Sequence, residues 1–114
     1  MSLPVIRSLA VGVLAIGFAA SAQAENIKLM TGPQGGSWYP LGGAIKNIVE
    51  NNVSGTSVQV LPGAGIANVK AVESGKADIG FANSVSTVDA INGKPPFESK
   101  ATNVCNVATL YPQY

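Results

Sequence analysis

The chain has 114 residues and a formal net charge of +1, with 46% apolar and 11% charged residues, one cysteine and no histidine. Without histidine there is no Ser-His-Asp triad, no Cys-His pair and no His-ligated zinc site, and a single cysteine forms no disulfide within the chain. The balanced charge supplies no basic face to neutralise phosphates, which argues against a nucleic-acid binder.

Chain order begins with "MSLPVIRSLAVGVLAIGFAASAQA". Arg7, the apolar stretch Leu9 to Ala20 and the small-x-small Ala22-Gln23-Ala24 have the layout of a cleavable secretory signal peptide. The apolar stretch is short of the ~20 residues that cross a bilayer, so residues 1–24 are expected to be removed after Ala24. The remainder, residues 25–114, is expected to be exported to the periplasm or another extracytoplasmic space. Six lysines balance six carboxylates there.

"NIKLMT" (Asn26 to Thr31) predicts a buried strand. "TGPQGGSWYP" (Thr31 to Pro40) follows, with three glycines and two adjacent aromatics. In "PLGGAIKNIVEN" (Pro40 to Asn51), Leu41, Ala44, Ile45, Ile48 and Val49 recur at helical spacing, which predicts a helix with one apolar face. "TSVQVLP" (Thr56 to Pro62) alternates and is β-branched, so it reads as a second strand. "GAGIANVKAVESG" then predicts a glycine turn, a short helix and a stop at Gly75. "ADIGFAN" (Ala77 to Asn83) predicts a third strand with Ile79 and Phe81 facing a core, and Ser84 is placed to cap the helix "VSTVDAI". "GKPPF" breaks that helix. "NVCNVATLYPQY" predicts a fourth apolar strand in which Cys105 is a buried structural thiol. Asp78 and Asp89 have no acid or base partner close in sequence and are assigned structural roles.

Strands alternating with helices predict a mainly parallel sheet flanked by helices, with right-handed crossovers. Ligands of such sheets bind beyond the carboxyl ends of the strands. Those ends are the loops Gly32 to Tyr39, Pro62 to Asn68 and Asn83 to Ser86. Glycines at 32, 35 and 36 let backbone approach a ligand, and a helix N-terminus favours an anion. Trp38 and Tyr39 are adjacent and cannot both point one way. Tyr39, whose hydroxyl donates and accepts, is expected to face the ligand, with Trp38 as a wall. "PGAGIANVK" lacks the third glycine of a dinucleotide fingerprint, which Asn68 replaces, so no nucleotide cofactor is expected. Its backbone N–H groups suit a smaller anion. Asn68 fits either a capping role or a ligand contact. Asn83, Ser84 and Ser86 can orient a polar ligand, cap a helix, or do both.

Taken together, the leader, "GPQGGSWYPLGGAI", "GAGIANVKAVESGKADIGFANS" and "ATLYP" resemble a solute receptor of the TAXI family, the extracytoplasmic binding proteins of TRAP-type transporters. The resemblance implies a type II periplasmic-binding-protein-like α/β fold whose two lobes close on an organic anion, often a dicarboxylate or a glutamate-like amino acid. It implies no catalysis, no cofactor and no metal; the partners implied are the TRAP membrane permease subunits, and the receptor is expected to be a monomer. Residues 25–114 would be the first lobe, truncated near the hinge. The ligand-binding set it implies is Gly36, Ser37, Trp38 and Tyr39 from the first loop, Gly65 and Asn68 from the second, Asn83 and Ser84 from the third, and Tyr111. The sequence departs from the family pattern at Ala64, Ile66 and Ala67, and in having Asn83-Ser84-Val85 instead of an acidic residue after the third strand. Those departures remove an amine-binding carboxylate and favour a plain organic anion. The same fold could serve an ABC importer or a sensor kinase. A secreted α/β enzyme acting on a small anion is the remaining alternative, disfavoured by the missing histidine and by the absence of a G-x-S-x-G elbow.

Overall fold

A computed structural model describes residues 24–112. The predicted signal peptide lies outside the described residues except for Ala24. Three strands and three helices alternate: β1 (Glu25–Met30), α1 (Trp38–Asn52), β2 (Thr56–Leu61), α2 (Gly65–Glu73), β3 (Ile79–Gly80) and α3 (Ser84–Asn92). The sheet has the order β2-β1-β3 and both pairings are parallel. This is the predicted α/β fold, a parallel sheet flanked by helices. β1 runs from Glu25 opposite Thr56 to Met30 opposite Leu61 on one side, and pairs Leu29 and Met30 with Ile79 and Gly80 on the other.

The strand order turns back after β2. Right-handed crossovers therefore put α1 and α2 on opposite faces, and the apolar residues divide accordingly. Leu29, Val58 and Phe81 are buried in one cluster with Ile27, Trp38, Leu41, Ile45, Val49 and Val60. Val69, Ala90 and Phe97 form a second cluster with Ala82, Ala101 and Val104. The α1 contribution is narrower than its periodicity predicts. Leu41, Ile45 and Val49 pack inward, whereas Ala44 and Ile48 are exposed, because α1 lies mainly over β2 and covers the sheet with only one stripe. Gly42 is buried where that helix crosses the end of β1, and a Cβ there would collide with Cγ2 of Thr31. Only glycine permits so close an approach.

Two expectations about strands are corrected. β3 pairs over two residues, not across Ala77 to Asn83, because the Asp78 carboxylate takes the Lys28 N–H at 2.8 Å, the donor that a continuing strand would have bonded through its backbone. Ile79 is 39% exposed, while Phe81 is buried as predicted. The fourth strand predicted over "NVCNVATLYPQY" is not formed within the described residues. So short a β3 offers almost no outer ladder for it, and Cys105, expected to be buried, is exposed.

Candidate functional site

All three helices begin at the same edge of the sheet, just past the carboxyl ends of the strands. There the loops enclose a crevice of about 340 Å³ lined by Gly32, Pro33, Gly36, Ser37, Trp38, Ala64, Gly65 and Asn83. It sits outside the ends of β1 and β3, where the chain direction in the sheet reverses, the place at which open α/β sheets take ligands. Each helix enters it without a side-chain cap: Ser37, Ala64 and Asn83 occupy the N-cap positions and none bonds back onto its own helix. First-turn N–H groups have no carbonyl within their own helix. Those of Trp38 and Tyr39, Gly65 to Ala67, and Ser84 to Ser86 are therefore left as donors, and the positive ends of three helix dipoles converge on one space. No ionisable side chain is among the lining residues, so nothing there repels an anion.

The crevice has a rigid floor. Asn68, in α2, is completely buried. Its Nδ2 donates to the carbonyls of Thr31 at 2.7 Å and Phe81 at 2.8 Å, and its Oδ1 accepts from the N–H of Ala64 at 3.1 Å. One side chain thus ties together the exit of β1, the exit of β3 and the turn into α2. Thr31, also fully buried, closes the remaining gap: both its N–H and its Oγ1 donate to the Leu61 carbonyl at 2.9 Å. Gly63 leaves room for this arrangement, since a Cβ there would collide with Oδ1 of Asn68.

Of the nine residues expected to contact ligand, Gly36, Ser37, Trp38, Gly65 and Asn83 line the crevice. Asn68 does not. Its amide is spent on backbone groups behind the loops, and the bond from the Ala64 N–H to Oδ1 at the start of α2 is the capping role that was the alternative to a ligand contact. Tyr39 is turned to the other side of α1, where it lines a shallow depression with Asn26, Pro40, Gly43, Lys46 and Ser57 to Val60. The two aromatics do diverge as neighbours must, but the one facing the crevice is Trp38. The reason is packing: the Trp38 ring meets Phe81 edge-on, with centroids 5.9 Å apart and planes at 88°, which draws it over the β1–β3 side. Ser84 is exposed at the first position of α3 and Asn83 holds the N-cap position predicted for Ser84. The Asn83 Nδ2 stands 3.8 Å from the Cβ position of Gly65, bringing the ends of α2 and α3 together. Tyr111 reaches the wall: its hydroxyl accepts from Nε1 of Trp38 at 2.7 Å.

Gly32, Pro33 and Ala64 complete the lining and were absent from the expected set, although the glycine-rich loops that contain them were singled out. Thr31 was missed as well. The signal for it was a polar residue closing an apolar strand, directly before a turn whose glycines already supply the bend.

Two carboxylates outside the crevice are held below the usual carboxylate range. Glu50 accepts from Lys46 Nζ and from the Val58 N–H, bracing the outer edge of β2. Glu73 accepts from the N–H groups of Thr102 and Asn103.

Compared with known proteins, the chain matches the NMT1-like family over residues 29–114. No solved structure matches it.

Proposed function

The chain belongs to the NMT1-like family, a periplasmic-binding-protein-like family of substrate-binding proteins, and from that premise we propose that it is the first lobe of an extracytoplasmic solute receptor for a small organic anion. The carrying observation is the convergence of three uncapped helix N-termini on one crevice without an ionisable lining residue. Backbone N–H groups of α2 and α3 hold the carboxylate, Asn83 adds an amide that donates and accepts, Ser37 adds a hydroxyl, and Trp38 forms an apolar wall. Of the expected set, Gly36, Ser37, Trp38, Gly65, Asn83 and Tyr111 remain in this reading.

The finer assignment is a TAXI receptor of a TRAP transporter. The glycine-aromatic loop and the "SGKADIGFANS" segment support it, and it carries export by the predicted leader and delivery to the TRAP permease. A dicarboxylate suits the neutral crevice better than an amino acid, because no lining carboxylate is present to receive an ammonium. No lining residue is a general base or an activated nucleophile, which supports binding over turnover.

Amide resonances provide the test. Succinate and glutamate are titrated into the protein to millimolar concentrations. The expected result is chemical-shift change concentrated in the first-turn amides of α2 and α3 and in Trp38, with succinate the stronger. No change, or change confined to the Tyr39 depression, would overturn the proposal. A ligand held at 100 times its Kd should also raise the unfolding free energy by about 2.7 kcal/mol.

A further inference from the structure

The segment after α3 is tied down at two places far apart in sequence. At its start, Ala101 N–H donates to the Ala90 carbonyl and the Glu73 carboxylate receives the N–H groups of Thr102 at 3.1 Å and Asn103 at 2.8 Å. Nδ2 of Asn103 returns a bond to the Glu73 carbonyl at 3.2 Å. The end of α2 therefore grips both backbone and side chain of one dipeptide. Val104 adds the last apolar contact with the α2–α3 cluster. From Cys105 to Leu110 the chain is exposed and makes no hydrogen bond among the described residues, until the Tyr111 hydroxyl meets Trp38 at the crevice.

We propose that Glu73 is a positioning residue: by fixing Thr102 and Asn103 it sets the course of the Val104–Tyr111 strap and so holds the Tyr111 hydroxyl on the indole of Trp38 at the crevice wall. The length of the strap supports this coupling. The strap spans at most roughly 29 Å when extended. The direction in which it leaves Asn103 accordingly decides whether its far end arrives at Trp38 or in solvent. Beyond the Val104 contact nothing else among the described residues restrains it, so the Trp38–Tyr111 bond is formed by a loop closure whose entropy depends on where the loop is rooted. Glu73 roots it. The consequence for the crevice is that the sole side-chain donor of Trp38 is already engaged, leaving the indole to present its apolar face to a ligand. The proposal rests on the receptor reading only in treating the Trp38 wall as part of a binding site.

Trp38 is the single tryptophan of the chain, so one indole N–H resonance reports the far end of the strap without any ligand. Its hydrogen-exchange rate is measured in the wild type, Tyr111→Phe, Glu73→Ala, Glu73→Gln and the Glu73→Ala/Tyr111→Phe pair, with β1 amides as the reference for global opening. Tyr111→Phe should speed indole exchange about fivefold, the equivalent of one exposed hydrogen bond. Glu73→Ala should do much the same with β1 amides unchanged, and the double variant should exchange no faster than Tyr111→Phe alone, because the two residues act through one bond. Glu73→Gln retains an acceptor oxygen for one N–H and should fall between wild type and alanine, which keeps the test open should alanine unsettle the fold. A wild-type indole rate in both Glu73 variants, or effects of Glu73→Ala and Tyr111→Phe that multiply, overturns the proposal. Since no ligand takes part, this failure is distinct from a failure of the succinate titration.

Discussion

Substituting the fully buried Asn68 by alanine should cost far more than the loss of a cap at a helix start. The change strands the Thr31 and Phe81 carbonyls, which lie 2.7 and 2.8 Å from Nδ2, and the Ala64 N–H, which lies 3.1 Å from Oδ1. Ala64 is exposed and water can reach its N–H; Thr31 and Phe81 are buried residues. Two orphaned buried carbonyls at about 1–3 kcal/mol each, together with the space left by the truncated amide, give a loss of about 3–5 kcal/mol. A domain of this size has only about 5–10 kcal/mol to lose. Urea unfolding followed by far-UV circular dichroism measures it, and an unchanged slope against urea shows that the midpoint shift is a stability change. Asn68→Asp separates the donor from the acceptor role. It keeps an oxygen for the Ala64 N–H but turns a carboxylate toward two carbonyls, so the new group's pKa is raised in the folded state. A raised folded pKa contributes stability that is complete below the unfolded value of about 3.9 and is lost as pH rises. The aspartate variant should therefore be less stable than the alanine variant at neutral pH and recover on acidification. A loss under about 1 kcal/mol for Asn68→Ala would refute the reasoning, since it would mean that the carbonyls find other partners.

Thr31→Val tests the neighbouring bond with a smaller expected effect. It removes Oγ1 from the Leu61 carbonyl, yet that carbonyl keeps the Thr31 N–H at 2.9 Å; the cost in the same urea assay should be about 0.5–1.5 kcal/mol, a fraction of the Asn68 effect. The pH dependence of stability should carry the marks of Glu50 and Glu73. Both have folded pKa values below the ordinary range, Glu50 chiefly through Lys46 and Glu73 chiefly through the Thr102 N–H. Their contribution is present above the unfolded carboxylate value of about 4.3 and is lost as pH falls through the lower folded values. The difference in unfolding midpoint between wild type and a Glu50→Gln/Glu73→Gln variant should thus shrink below that pH; a difference that stays constant or grows there contradicts the assignment.

Most of the fold was legible because its signals are local. Helical spacing gave α1, alternation gave β2, and glycines at 75 and 93 end α2 and α3 in the left-handed conformation. What failed to read was set by contacts remote in sequence. β3 is cut short by a carboxylate bonding to a residue 50 positions away, and Cys105 is exposed because a strand needs a partner as well as apolar residues. At the site, the three loops were placed correctly, since their position follows from strand order. The orientation of single side chains was not, because Tyr39 and Trp38 are equivalent in sequence until Phe81 supplies an edge-on partner for one of them.

Asn68 shows why polarity beside a predicted loop is an ambiguous sign. A buried amide and a ligand-contacting amide leave the same trace in a sequence: an Asn among small residues at a helix start. Here the small residues decide between them. Gly63 and Gly80 both stand against the Asn68 side chain, one where a Cβ would strike Oδ1 and the other where it would lie 3.0 Å from the Asn68 Cβ. A Cβ at Gly35 would meet nothing within 4 Å, whereas one at Gly63 or Gly80 would press on Asn68. The sequence around Asn68 therefore makes room for a side chain, and the crevice above it gains a floor whose three supports cannot move independently. Preorganised backbone donors gain most from such a floor, because an N–H that must be reoriented on binding loses in ordering part of what it supplies in hydrogen bonding. Asn68, for which a ligand contact and a capping role were both open, holds still the groups proposed to bind.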